Sequence, residues 1–153
     1  MRIVLGLIFL FVSMLIGFAI SYRYTFRKNY YKSFFSFNSV VLSEVSFGKK
    51  TIKSLFEENN NGNTFYRAFD LLMQKKNVEL PKRVYTNDDI ILLKEYSLMV
   101  GKSDSKTQEA YLTKMSEILS EIYNKCVDEE KKYKELYFKL GLLVGLIFFI
   151  III

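Results

Sequence analysis

The chain of 153 residues contains no histidine, so the side chain that most often serves as general base and as metal ligand is missing. Cysteine occurs once, at Cys126. One cysteine excludes an internal disulfide and fits a reducing compartment. Its place on an apolar helical seam makes it a packed core thiol rather than a reactive one. Proline occurs once and glycine seven times, leaving little scope for long loops. Charge is scarce at both ends: residues 1–21 hold Arg2 alone, and residues 140–153 hold none.

These absences narrow the chemistry. With no Cys/His cluster there is no metal site to expect, and a nucleophile–base pair would need lysines and carboxylates alone. Gly101-Lys102-Ser103 resembles the end of a phosphate-binding loop, but Tyr96 stands where the first glycine belongs and no strand precedes it. Asp88-Asp89 and Glu129-Glu130 are adjacent pairs, whose members point apart on a helix and read as solvated surface. We therefore expect no enzyme, no catalytic residues, no cofactor and no metal.

What the chain does have is two apolar ends around a charged middle. All 16 acids and 21 of the 22 Lys/Arg lie between Tyr22 and Lys139. Ile3 to Ile20 is an apolar run broken only by Gly6, Ser13 and Gly17. Its 18 residues would span about 27 Å as a helix, close to a hydrocarbon core of roughly 30 Å. The small residues at Ala19 and Ser21 suit a signal peptidase, but the run is long for a signal and its positive flank follows it. Arg23, Arg27, Lys28 and Lys32 resist translocation, so the run reads as an uncleaved anchor with the following residues cytoplasmic. At the other end Leu136 to Ile153 forms a second span, with Lys131, Lys132, Lys134 and Lys139 again on the domain side. Both ends predict an inner-membrane protein with two passes and a cytoplasmic middle. The modest basic surplus lies beside the bilayer, where anionic lipid accounts for it without nucleic acid.

Gly6, Ser13 and Gly17 share a helical face in the first span, and Gly141 and Gly145 form a GxxxG in the second. Small residues let membrane helices approach closely. Either the two spans pack on each other, or one joins a neighbouring subunit, which leaves a homo-oligomer open.

The middle reads as helices. Tyr30, Phe34, Phe37, Val41 and Val45 mark a first stripe, with Gly48 as its stop and Glu44 at its edge, either as a half-exposed acid or as a buried carboxylate paired with a Lys or Arg. A short helix follows over Thr51–Glu58, then a loop at residues 59–63. The next stripe, through Phe65, Ala68, Phe69, Leu72 and Met73, ends near Asn77. Thr86 with Asp89 has the form of a capping box and opens a helix through Leu92, Leu93, Tyr96, Met99 and Val100, with Gly101 as its C-terminal cap. Ser105 with Gln108 has the same form and opens the last helix. Its seam, Leu112, Met115, Leu119, Ile122, Cys126, Tyr133, Leu136 and Leu140, is interrupted only by Glu129. Nothing between Ser105 and Ile153 demands a stop. The expected fold is all-α: transmembrane helix 1–21, a helical bundle over 22–135, and transmembrane helix 136–153 continuous with the last soluble helix.

The order of these features resembles the stage III sporulation protein AB family of endospore-forming bacteria, related to the helical domains of type II secretion F-type platform proteins. The matching residues are Gly17-Phe18, Arg27, and Leu42-x-Glu44-Val45-x-Phe47. Further matches are Gly101-x-Ser103-Asp104 with Gln108, and Leu136-Tyr137-x-x-Leu140-Gly141. The chain departs from the family at Lys49-Lys50-Thr51, where a proline often precedes the second helix. The resemblance implies a non-enzymatic inner-membrane component of the mother-cell export or feeding apparatus. Its cytoplasmic domain would contact the assembly's ATPase and other membrane subunits. Glu44, Gly101, Asp104 and Gln108 are the candidate partner-binding positions it singles out, although Asp104 and Gln108 also suit a purely local turn and cap. A membrane-tethered sensor passing a signal to a soluble partner is the alternative.

Overall fold

A computed structural model describes residues 2–47 and 50–152. Five helices account for most of them, and no strand occurs among the described residues. They are α1 (Arg2–Phe47), α2 (Ile52–Asn59), α3 (Thr64–Met73), α4 (Asn87–Met99) and α5 (Ser105–Ile152). The first apolar run and the first stripe belong to one unbroken helix, α1. The last seam and the last apolar run likewise form one helix, α5. The expected stop at Gly48 lies outside the described residues, as does Lys49. The chain divides into two compact units, Met1–Phe26 with Cys126–Ile153, and Arg27–Lys125. Both division points fall inside α1 and α5.

In the Arg27–Lys125 unit the core is aromatic. Tyr30, Phe34 and Phe37 on α1, Phe65 and Phe69 on α3, and Tyr96 on α4 are all fully buried. Phe65 lies at the centre: its ring stacks on Phe34 at 4.8 Å and lies 5.8 Å from both Phe37 and Phe69. Such pairs add about 0.5–1.5 kcal/mol each beyond the area they bury. The predicted stripes thus face one another. The final helix joins through Leu112, Met115 and Leu119, all buried, and through Asn38. That side chain donates to the Leu112 carbonyl at 3.0 Å and to Ser116 Oγ at 2.8 Å.

The caps explain the boundaries. Thr51 caps α2 and accepts from the Ser54 N–H, so the helix opens without the family's proline. Asn63 caps α3 by accepting from the N–H groups of Phe65 and Tyr66. α3 stops at Met73, short of the expected Asn77. Lys75 adopts the left-handed conformation (φ 58°), and the N–H groups of Lys76 and Lys75 close onto the carbonyls of Leu71 and Leu72. This double closure is a Schellman stop made without glycine, so no sequence signal marks it. The capping box of α4 is present as predicted, with Thr86 and Asp89 exchanging both bonds. The box expected from Ser105 and Gln108 does not form. Asp104 caps α5 instead, accepting from the Thr107 N–H at 3.2 Å, while Gln108 reaches back into the preceding turn.

In the other unit the small residues sit where backbones meet. A Cβ on Gly17 would come within 2.5 Å of the Tyr137 carbonyl oxygen, and one on Gly141 within 2.9 Å of the Ser13 carbonyl oxygen. A Cβ on Gly145 would lie 2.9 Å from Leu10 Cα, and one on Gly6 2.6 Å from the Phe149 ring. Ser13 Oγ donates to the Gly141 carbonyl at 2.6 Å. The small residues of both runs therefore meet within one chain.

Candidate functional site

Three of the four positions suggested for partner binding converge. Glu44 and Val45 from α1, Ile52 and Leu55 from α2, and Gly101 and Gln108 from the turn before α5 line a cleft of about 500 Å³. Ser103, Ser105 and Lys50 also reach it. Gln108 is 3% exposed. Its Oε1 accepts from the Gly101 N–H and from Ser103 Oγ, both at 3.1 Å. These two donors fix the orientation of the amide, and they leave its Nε2 buried with no partner among the described residues. Glu44 is half-exposed on the cleft wall, and Lys50 is held by the two oxygens of Glu58 at 2.9 and 2.7 Å. Asp104 does not line the cleft. It is fully exposed, and its hydrogen bonds from Thr107 hold its carboxyl below the ordinary range. Its place is at the start of α5, as a cap.

Gly101 takes a φ of +76°, and a Cβ there would sit 3.0 Å from Ile52 Cγ1. Replacing it with alanine should cost about 1–2 kcal/mol, the ordinary penalty of a left-handed L-residue. A denaturant melt of the Gly101→Ala chain measures this; an unchanged midpoint would show that the turn relaxes freely.

A second cluster escapes the sequence reading. Asp89, read there as solvated surface, is 2% exposed. Arg27 grips it with two bonds, Nε to Oδ2 at 3.2 Å and Nη2 to Oδ1 at 3.0 Å. The Tyr31 hydroxyl donates to the same Oδ1, and the Thr86 N–H to Oδ2 at 2.8 Å. Burial pushes this carboxyl up, but the bonds from Arg27, Tyr31 and Thr86 together outweigh it and hold Asp89 below the ordinary carboxylate range. Burial also raises the Tyr31 phenol, which therefore stays a donor. Asp88, its neighbour, is exposed. A signal was there: Asp89 precedes Leu93, Tyr96 and Val100 at helical spacing, on the stripe that is buried. Glu130 likewise departs from the solvated reading. It is 8% exposed, and its Oε1 accepts from Thr25 Oγ1 at 2.7 Å and Lys134 Nζ at 2.9 Å.

Tyr24 stacks on Tyr133 at 4.3 Å with its ring 10° from parallel. Arg23 lies 4.9 Å over Tyr24 and donates to the hydroxyls of Tyr24 and Tyr137 at 2.9 and 3.3 Å. Aromatic and basic side chains of this kind populate membrane–water boundaries. No group of three or more His, Cys, Asp or Glu able to hold a metal occurs among the described residues. Two helices, Ile3–Val45 and Ser105–Ile152, are long and apolar enough to cross a membrane.

By fold and by site, the chain is an all-helical protein whose described polar side chains cap its helices and tie them to one another. The match to known proteins is more particular. The model of the stage III sporulation protein AB family matches residues 56–153, and the chain belongs to that family. It is a sporulation-stage protein, of a family not known to be enzymes. No curated protein and no solved structure matches it. The matched segment contains Gly101, Asp104 and Gln108; Glu44 and Arg27 precede it.

Proposed function

We propose that this chain is a two-pass scaffold of the cytoplasmic membrane that serves a sporulation-specific, secretion-like apparatus and catalyses nothing itself. Its apolar ends anchor it, and its helical bundle, on the cytoplasmic face of the mother cell, docks the assembly's ATPase and other membrane subunits. The observation that carries this reading is that helices apolar enough to cross a membrane are continuous with the first and last helices of an aromatic-cored bundle. Positive charge beside both apolar runs supports a cytoplasmic middle. The Gln108 cleft supplies a polar, ordered surface near which a partner can seat.

Affinity capture of the tagged full chain from sporulating cells is expected to recover a secretion-type ATPase and membrane subunits. Capture that repeatedly lacks them would remove the docking role. Topology has a separate test. A cysteine at Asn60, in the exposed loop before α3, should react with an impermeant thiol reagent only after the cells are opened. Labelling in intact cells would reverse the assignment.

A further inference from the structure

Helix α4 is apolar on two opposite sides. Asp89, Leu93, Tyr96 and Val100 face the core and are buried. At about 100° per residue, the opposite side is centred on Ile91 and Leu98, which are 51% and 61% exposed. These two stand seven residues apart, so they lie on one line along the helix. Lys94 flanks that line on one side and Glu95 on the other. Both are exposed, and neither forms an ion pair among the described residues. On the Glu95 side the apolar surface continues into a groove of about 460 Å³, which includes Leu92 and Met99 from α4 and Met115 and Ile118 from α5.

We propose that this face is a homodimer seam in which α4 pairs in parallel with α4 of a second copy. The charges decide both partner and direction. When two identical helices pair in parallel about a two-fold axis, the left flank of one meets the right flank of the other. Lys94 then faces the partner's Glu95, and Glu95 faces the partner's Lys94. An antiparallel pair would set each flank against itself, apposing Lys94 with Lys94 and Glu95 with Glu95. In the parallel pair Ile91 meets Ile91 and Leu98 meets Leu98, as residues one heptad apart do in a parallel two-stranded coil. The aliphatic stem of Lys94 lies over the partner's groove with its ammonium toward Glu95. An anionic membrane surface fits poorly, because the exposed acids Asp88 and Glu95 on one flank offset Lys94 on the other. The seam is about two helical turns, well under the roughly 800 Å² per partner of a stable complex. Pairing is therefore weak and relies on high local concentration.

Disulfide trapping of the full chain reads this directly. Cys126 is buried, so the unsubstituted chain supplies the blank. Ile91→Cys and Leu98→Cys are each expected to give crosslinked dimer alone, while Arg67→Cys, exposed on α3, gives none. Crosslinking confined to mixtures of the Ile91→Cys and Leu98→Cys chains would mean antiparallel pairing and overturn the proposal. So would equal crosslinking at Arg67→Cys, or no crosslinking in chains that retain their helix content. Adding Lys94→Glu to the Leu98→Cys chain should lower the dimer yield about tenfold, since two exposed pairs turn from attraction to repulsion. Combining it with Glu95→Lys should restore the yield, a rescue that general apolar stickiness would not produce. Failure of that rescue also overturns the proposal.

Discussion

Replacing Arg27 with methionine is expected to destabilise the Arg27–Lys125 unit by about 3 kcal/mol, because it strands a buried carboxylate. Losing one partner of a buried pair costs about 3–5 kcal/mol in general. The lower end applies here, since the Arg27 side chain is 24% exposed and keeps part of its solvation. Asp89 would retain the bonds from Tyr31 and Thr86, which cannot replace a bidentate guanidinium. Changing both residues, Arg27→Met with Asp89→Leu, should recover part of the loss. No charge is then left buried, but the Thr86 N–H and the Tyr31 hydroxyl lose their acceptor. A denaturant melt of the three chains decides the matter. If the double variant were no more stable than Arg27→Met, the stranded charge would not be the source of the loss.

The same carboxylate gives a pH dependence of definite sign. Asp89 titrates below its ordinary value when folded and near 3.9 when unfolded. The unfolded chain thus binds the proton first on acidification, and the stabilisation is complete above about pH 4. It is lost as pH falls through the depressed folded value. Melts from neutrality down to pH 3 should show this acid limb in the natural chain and a shallower one in Asp89→Asn. An identical limb in both would place the acid sensitivity elsewhere.

How far the fold was readable depended on the kind of signal. Helical stripes are local, and those through Phe34, Phe65 and Tyr96 meet in the core, although Met73 and Met99 of the same stripes are exposed. Thr86 with Asp89 was readable as a cap because both partners stand within four residues. Asp89's second role was not, because its partner Arg27 comes from 62 positions away, and adjacent acids on a helix read as surface by default. The early stop of α3 was hidden because Lys75, not glycine, takes the left-handed turn. Spacing alone puts Gln108 in a capping box, but the nearby Gly101 N–H and Ser103 hydroxyl take its oxygen instead. The cleft joining Glu44 to Gln108 spans three helices, which no pattern along the chain reveals. The outward line of Ile91 and Leu98 was obscured for a related reason, since apolar residues on both sides of α4 blur its single-face periodicity.

The glycines of the apolar runs yield the other large effect, and they predict an order as well as a size. Gly17→Ala places a methyl group 2.5 Å from a backbone oxygen, at Tyr137. No rotamer change can move that atom, so the helices must separate. Gly6→Ala meets the edge of the Phe149 ring at 2.6 Å, and a ring can turn aside. Overpacking costs about 1–3 kcal/mol; Gly17→Ala belongs at the top of that range and Gly6→Ala at the bottom. Separation would also lengthen the bond from Ser13 Oγ to the Gly141 carbonyl, weakening a polar tie of a kind worth about 0.6 kcal/mol between membrane helices. The rings of Phe9 and Phe148 lie 6.1 Å apart, so cysteines at those two positions should be joined by a short bifunctional thiol crosslink in membranes or micelles. Its yield should fall sharply with Gly17→Ala and change little with Gly6→Ala. Equal yields would mean that the two runs do not depend on this close approach, and packing through the glycines would lose its support.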